Sequence, residues 1–89
     1  MIHNKIIISD TNHWRELNYQ DAKLYLALLD IDGKDDWRFP TDEESDEYEI
    51  YDKMSEYANH MSSVWTLEDL QTYPDLHSYE YWCIPVRDI

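Results

Sequence analysis

Carboxylates are the groups most able to do chemistry in this 89-residue chain: twenty Asp and Glu stand against seven Lys and Arg. Asp30-Ile31-Asp32-Gly33-Lys34-Asp35-Asp36 has the oxygen density and the Gly turn that a hard cation such as Ca²⁺ requires. Its register does not fit a calcium loop, because with Gly33 in the sixth position the first falls on Leu28 and the twelfth on Phe39, neither of which ligates. A turn with solvated carboxylates is the simpler reading, with weak cation binding as its limit. His3, His13, His60 and His77 are scattered, without the close His or Cys spacing that places two zinc ligands together. No metal site and no cofactor are therefore expected. Cys83 sits in a terminal apolar run with no neighbouring His or Lys, so it reads as a buried thiol and not a nucleophile. A single Gly forbids a Gly-rich phosphate loop, and no carboxylate pair stands out whose surroundings would separate two pKa values. The chain reads as a non-enzyme.

What these acids could do is bind. From Asp30 to Glu56 twelve of them face only Lys34, Arg38 and Lys53, so nine of the thirteen net negative charges lie within 27 residues. Such a charge repels nucleic acid and anionic membranes, and its natural complement is a basic protein surface. Carboxylates one helical turn apart, ~5 to 6 Å, approach the spacing of backbone phosphates. The expected partner-binding residues are Asp42, Asp46, Glu49, Asp52 and Glu56, joined by Asp35 and Asp36, with an exposed Tyr48 as an anchor beside them. The partner would be a nuclease or another nucleic-acid-binding protein of a host cell, as for small phage inhibitors that mimic nucleic acid. A homodimer is compatible with the exposed aromatics.

These residues need a scaffold. Lys5 to Ser9, KIIIS, is a β-branched run ending in the turn-like Asp10-Thr11-Asn12, and predicts a strand. Asn18 is an N-cap with Asp21 three residues on, so helix 1 is expected from about Tyr19 to Leu29. Gly33 can take the positive φ that closes the following turn. Pro40-Thr41 opens helix 2, with Thr41 as N-cap, Glu44 at N3 and an acidic first turn that complements the helix dipole. At 100° per residue Ile50, Tyr51, Met54, Tyr57, Ala58 and Met61 form one apolar stripe, while Asp42, Glu49, Asp52 and Glu56 lie opposite, relieved by a Lys53–Glu49 pair. Val64-Trp65-Thr66 is a short β-prone run, Tyr73-Pro74-Asp75 a turn, and Tyr79 to Val86 a strand whose end Pro85 marks as an edge or bulge. The order β, α, α, β, β describes a single α+β domain over residues 1 to 89: two helices packed on a small antiparallel sheet.

Asp21-Ala22 with Tyr25, then Gly33 with Asp36-Trp37-Arg38-Phe39-Pro40-Thr41, then Val64-Trp65-Thr66, then Ile84-Pro85-Val86-Arg87 resemble, in order, the motifs of C-type-lectin-like domains of bacteria and phages, of the Lcl C-terminal type. The resemblance implies a reduced lectin-like fold. It also implies an architectural role for the Trp-Arg-x-Pro-Thr turn: Trp37 buried, Pro40 and Thr41 launching a helix, Arg38 tied to carboxylates or carbonyls. The chain is shorter than the family before the last strand and far more acidic, so the ligand-presenting loops of a lectin are largely missing and sugar binding is not carried over.

A chain of this length buries roughly 60 to 65% of its unfolded surface, and four Trp, eight Tyr and one Phe supply bulk to a modest core. One Cys allows no internal disulfide, MIHNKIIISD is too short an apolar run for a signal peptide, and no stretch of ~20 apolar residues could span a bilayer. The cytoplasm, that of a host cell for a phage-encoded protein, is the expected location. Beside the acidic inhibitor stands an alternative: a minimal lectin-like recognition or structural module of a phage or bacterial assembly, contacting partners near Trp65, Tyr79 and Tyr81.

Overall fold

A computed structural model describes residues 5 to 59, 62 to 69 and 79 to 89. His3, His60 and His77, the stripe's Met61 and the Tyr73-Pro74-Asp75 turn lie outside the described residues. The architecture is α+β, with strands β1 (Ile6–Ile8) and β2 (Arg15–Asn18), helices α1 (Tyr19–Leu28), α2 (Asp42–Glu47) and α3 (Ile50–Ala58), and strands β3 (Glu80–Cys83) and β4 (Val86–Asp88). In place of the expected single sheet, the described residues form two antiparallel ladders, β1 with β4 and β2 with β3. They form one interrupted ribbon. β1 pairs Ile7 with Arg87, β2 pairs Glu16 with Trp82, and between them Ile84-Pro85 opposes Ser9 to Trp14, a stretch containing a 3-10 turn at Thr11–His13. Pro85 has no N–H to donate, so the predicted terminal strand divides there into β3 and β4. β2 was not expected, because Arg-Glu-Leu-Asn lacks apolar alternation and is held by its pairing with β3.

Helix α1 begins as anticipated, with Asn18 Oδ1 accepting from the Asp21 N–H at 2.8 Å. Ala22 and Leu26 pack inward, while Leu24 and Leu28 face solvent. Asp32 and Gly33 both have positive φ, and Ile31 and Lys34 exchange two backbone bonds across them, a tight two-residue turn of the kind Asp-Gly favours.

The expected second helix is two helices. Glu49 takes a left-handed conformation, φ 54°, that ends α2 and starts α3. Two effects favour a stop there: Asp42 and Asp46 set like charges at i,i+4 with Asp46 near the helix C-terminus, where the dipole disfavours anions, and the turn lets Tyr48, Ile50 and Met54 pack on the core. α3 then turns Ile50 and Met54 fully inward, but Tyr51 and Tyr57 of the predicted stripe remain substantially exposed. Asn59, also left-handed at φ 58°, closes α3.

Among the described residues, two apolar clusters form the core. Ile6, Trp14, Ile50, Met54, Val64, Ile84 and Val86 knit α3 to the β1–β4 ladder, and Ala22, Leu26, Phe39, Trp65 and Cys83 knit α1 to β2–β3. Val64 makes a single parallel bridge to Trp82 in place of a strand, and Trp65, 1% exposed, donates its Nε1–H to the Leu17 carbonyl at 2.8 Å.

Candidate interaction site

The Trp37-to-Thr41 turn is architecture. The Thr41 hydroxyl accepts from the Glu44 N–H at 3.1 Å and Glu44 Oε1 accepts from the Thr41 N–H at 2.9 Å, a complete capping box. The same Glu44 carboxylate accepts two 2.8 Å bonds from the Arg38 guanidinium, whose other contacts are Asp88 at 2.8 Å and the Phe39 carbonyl at 3.0 Å. A planar fork on a carboxylate is the strong form of charged hydrogen bond. Arg38 thereby joins the start of α2 to the end of β4. Its hydrogen bonds hold the Glu44 carboxyl below the usual carboxylate range, although burial opposes this, and Glu44 in turn raises the Arg38 pKa.

Trp37 is only half-buried, contrary to the expectation of a buried ring. Its Nε1–H donates to the Lys34 carbonyl at 3.0 Å, and the Arg87 guanidinium lies 5.9 Å from the ring centroid. Arg87 also donates to Asp36 at 2.7 Å, which holds the Asp36 carboxyl below its ordinary value. Asp36 is thus exposed but engaged, whereas Asp35 beside it is simply exposed.

Asp42, Asp46, Glu49, Asp52 and Glu56 are all exposed. The left-handed Glu49 divides them between α2 and α3, so they do not follow the one unbroken helical row that 100° periodicity lays out. Lys53 turns its ammonium to the Tyr48 carbonyl at 2.5 Å. Tyr48 is not the exposed anchor expected from the sequence: it is half-buried against the cluster that holds α3, and its hydroxyl oxygen lies 3.4 Å from the Ile6 N–H, so it fastens α2–α3 to β1. The break at Glu49 is what puts that ring on the core.

Cys83 is fully buried, and desolvation pushes its thiol up to about 12, an inert sulfur. No group of three His, Cys, Asp or Glu among the described residues could hold a metal ion. No helix among them is long and apolar enough to cross a membrane.

Sequence reasoning did not find an open groove of about 740 Å³ between the end of β1 and α3, where Ser9 and Asp10 face Glu56 and Tyr57. The apolar stripe had placed Tyr57 in the core, which concealed it. Trp14 lies edge-on to Tyr57, ring centroids 5.3 Å apart, and gives the groove an aromatic wall. Compared with known protein families, with curated proteins and with solved structures, the chain matches none.

Proposed function

We propose that this is a small non-enzymatic interaction protein whose α2–α3 face binds a basic protein surface, as an inhibitor that occupies a nucleic-acid groove on a host nuclease or a related protein would. The observation that carries the reading is how the structure distributes its acids. Glu44, Asp36 and Asp88 are bound to arginines, while Asp42, Asp46, Glu49, Asp52 and Glu56 point to solvent along two short helices. Asp42 and Asp52 sit in the first turns of α2 and α3, where the helix dipole favours them, but none of the five makes an ion pair with a Lys or Arg among the described residues, and crowding them raises self-repulsion. In this reading the protein works in the cytoplasm of a host cell.

Such binding is steered by long-range charge, so it weakens with salt and its association rate falls when charge is reversed. The test is affinity capture from a bacterial lysate at low and high salt, followed by mass spectrometry, beside a Glu49→Lys, Asp52→Lys double variant. The reading expects a nucleic-acid-binding protein at low salt that is lost with the variant.

The reduced lectin-like module is the second reading, and one observation favours it. Tyr79 is half-exposed and stacks on Tyr81 at 5.9 Å, an aromatic platform at the β3 end. Trp65, expected to share that surface, is core instead. Capture that survives both salt and the double variant but fails in Tyr79→Ala selects this module.

A further inference from the structure

We propose that the outer edge of β1 at Ile8, which faces no strand among the described residues, binds, together with the groove between it and α3, an extended basic segment of a protein partner as an added β-strand. The backbone register carries the argument. Ile89 donates to the Lys5 carbonyl at 3.1 Å and Ser9 to the Pro85 carbonyl at 3.0 Å, so the odd-numbered residues of β1 face β4. On the far side of β4 the pattern repeats, Val86 exchanging bonds of 2.8 and 3.0 Å with Arg38. Ile6 and Ile8 therefore direct their N–H and C=O groups away from β4. The Ile6 N–H meets the Tyr48 hydroxyl, at 3.4 Å, while Ile8 has no strand opposite it among the described residues.

That edge opens onto the groove. The hydroxyl of Ser9, 7% exposed, lines it and has no hydrogen-bond partner among the described residues. Its volume, about 740 Å³, lies within the ~300 to 1,000 Å³ range of ligand sites. An exposed edge with unpaired donors and acceptors is a template for one more strand, and flanking side chains select what binds.

Charge and surface choose the occupant. Asp10 and Glu56 flank the groove against Lys53, and the chain carries a net charge of −13, so a segment bearing Lys or Arg is favoured while pairing with a second copy of this chain is opposed. The Trp14–Tyr57 pair, with Tyr57 49% exposed, offers an aromatic wall to an alternate apolar side chain or to the stem of a Lys. This goes beyond the charged face, because backbone hydrogen bonds and not charge define the docking line.

The probe is a capped Lys-Val-Lys-Val-Lys peptide, titrated into the full chain and followed by amide NMR shifts and hydrogen exchange. Shifts at Ile8, Ser9 and Tyr57, with slowed exchange of the Ile8 amide, are expected. Two N-methylated versions of the peptide carry the methyls on the odd or the even residues. A strand presents its donors alternately, so one version should bind ~10-fold or more weakly than the other. Ile8→Pro should likewise weaken binding ~10-fold while the Ile7 and Arg87 amides stay protected, since Ile8 gives no bond to β4; if that variant does not fold, the methylated pair decides on the unaltered protein. Equal binding of both methylated peptides, shifts confined to Asp42–Glu47, no binding at millimolar peptide, or a doubling of molecular mass at β1 would each overturn the proposal.

Discussion

Glu44 and Asp46 stand two residues apart on α2 and share a chemistry, yet the fold uses only one of them. Glu44 is buried at the α2 N-terminus, where Arg38, the Thr41 N–H and the helix dipole all favour its charge. Asp46 is exposed near the C-terminal end of the same helix, where the dipole opposes it and Asp42 lies one turn away. One acidic helix therefore has a structural end and a solvent end. Fixed partners convert charge into stability, and their absence leaves charge as an outward field.

The largest test of that contrast is Glu44→Ala. It removes half the capping box and leaves Arg38 without its forked partner, so a loss of about 3 kcal/mol is expected in denaturant unfolding. Asp46→Ala should leave stability unchanged or raise it.

Acid comes next. Arg38 chiefly holds the Glu44 carboxyl low in the folded state. A depressed carboxyl adds stability that is fully present above its unfolded value, ~4.3, and is lost as pH falls through the folded value. Thermal melts between pH 6 and pH 2 should show this loss, and Glu44→Gln should make it shallower.

Glu49→Gly sharpens the contrast from the other side. Relieving a left-handed Glu is expected to stabilise by about 0.5 to 1 kcal/mol, while removing one of the proposed partner contacts. Capture should weaken as the melting temperature rises, a split that an acid with only a structural role would not show.

Salt gives a smaller effect. Raising ionic strength from ~0.01 to ~0.15 M shortens the screening length from ~30 to ~8 Å. Because repulsion among the exposed acids outweighs their few ion pairs, the melting temperature should rise. Smallest of all is Asp36→Asn, which removes an exposed contact with Arg87 and should leave the melting temperature unchanged within error.

Local rules made much of this molecule legible. Asn18, Thr41 with Glu44, and Asp32-Gly33 each specify their own backbone through bonds within three residues, which is why those starts and turns match expectation. The charge of −13 and its concentration between Asp30 and Glu56 are likewise properties of the sequence alone.

What only the tertiary structure decided depends on contacts far along the chain. β2 exists because β3, more than 60 residues later, supplies its hydrogen bonds. Pro85 marks the end of a strand in the sequence itself, but that β4 forms beyond it depends on pairing with β1, some 80 residues earlier. Helical periodicity carries Asp42 to Met61 in a single helix; like-charge repulsion together with the pull of the core on Tyr48, Ile50 and Met54 breaks it at Glu49. That break moves Tyr48 inward and leaves Tyr57 half-exposed beside the outer edge of β1, so the groove is a product of packing. Periodicity describes an unperturbed helix, and only burial against a particular neighbour determines where the helix stops.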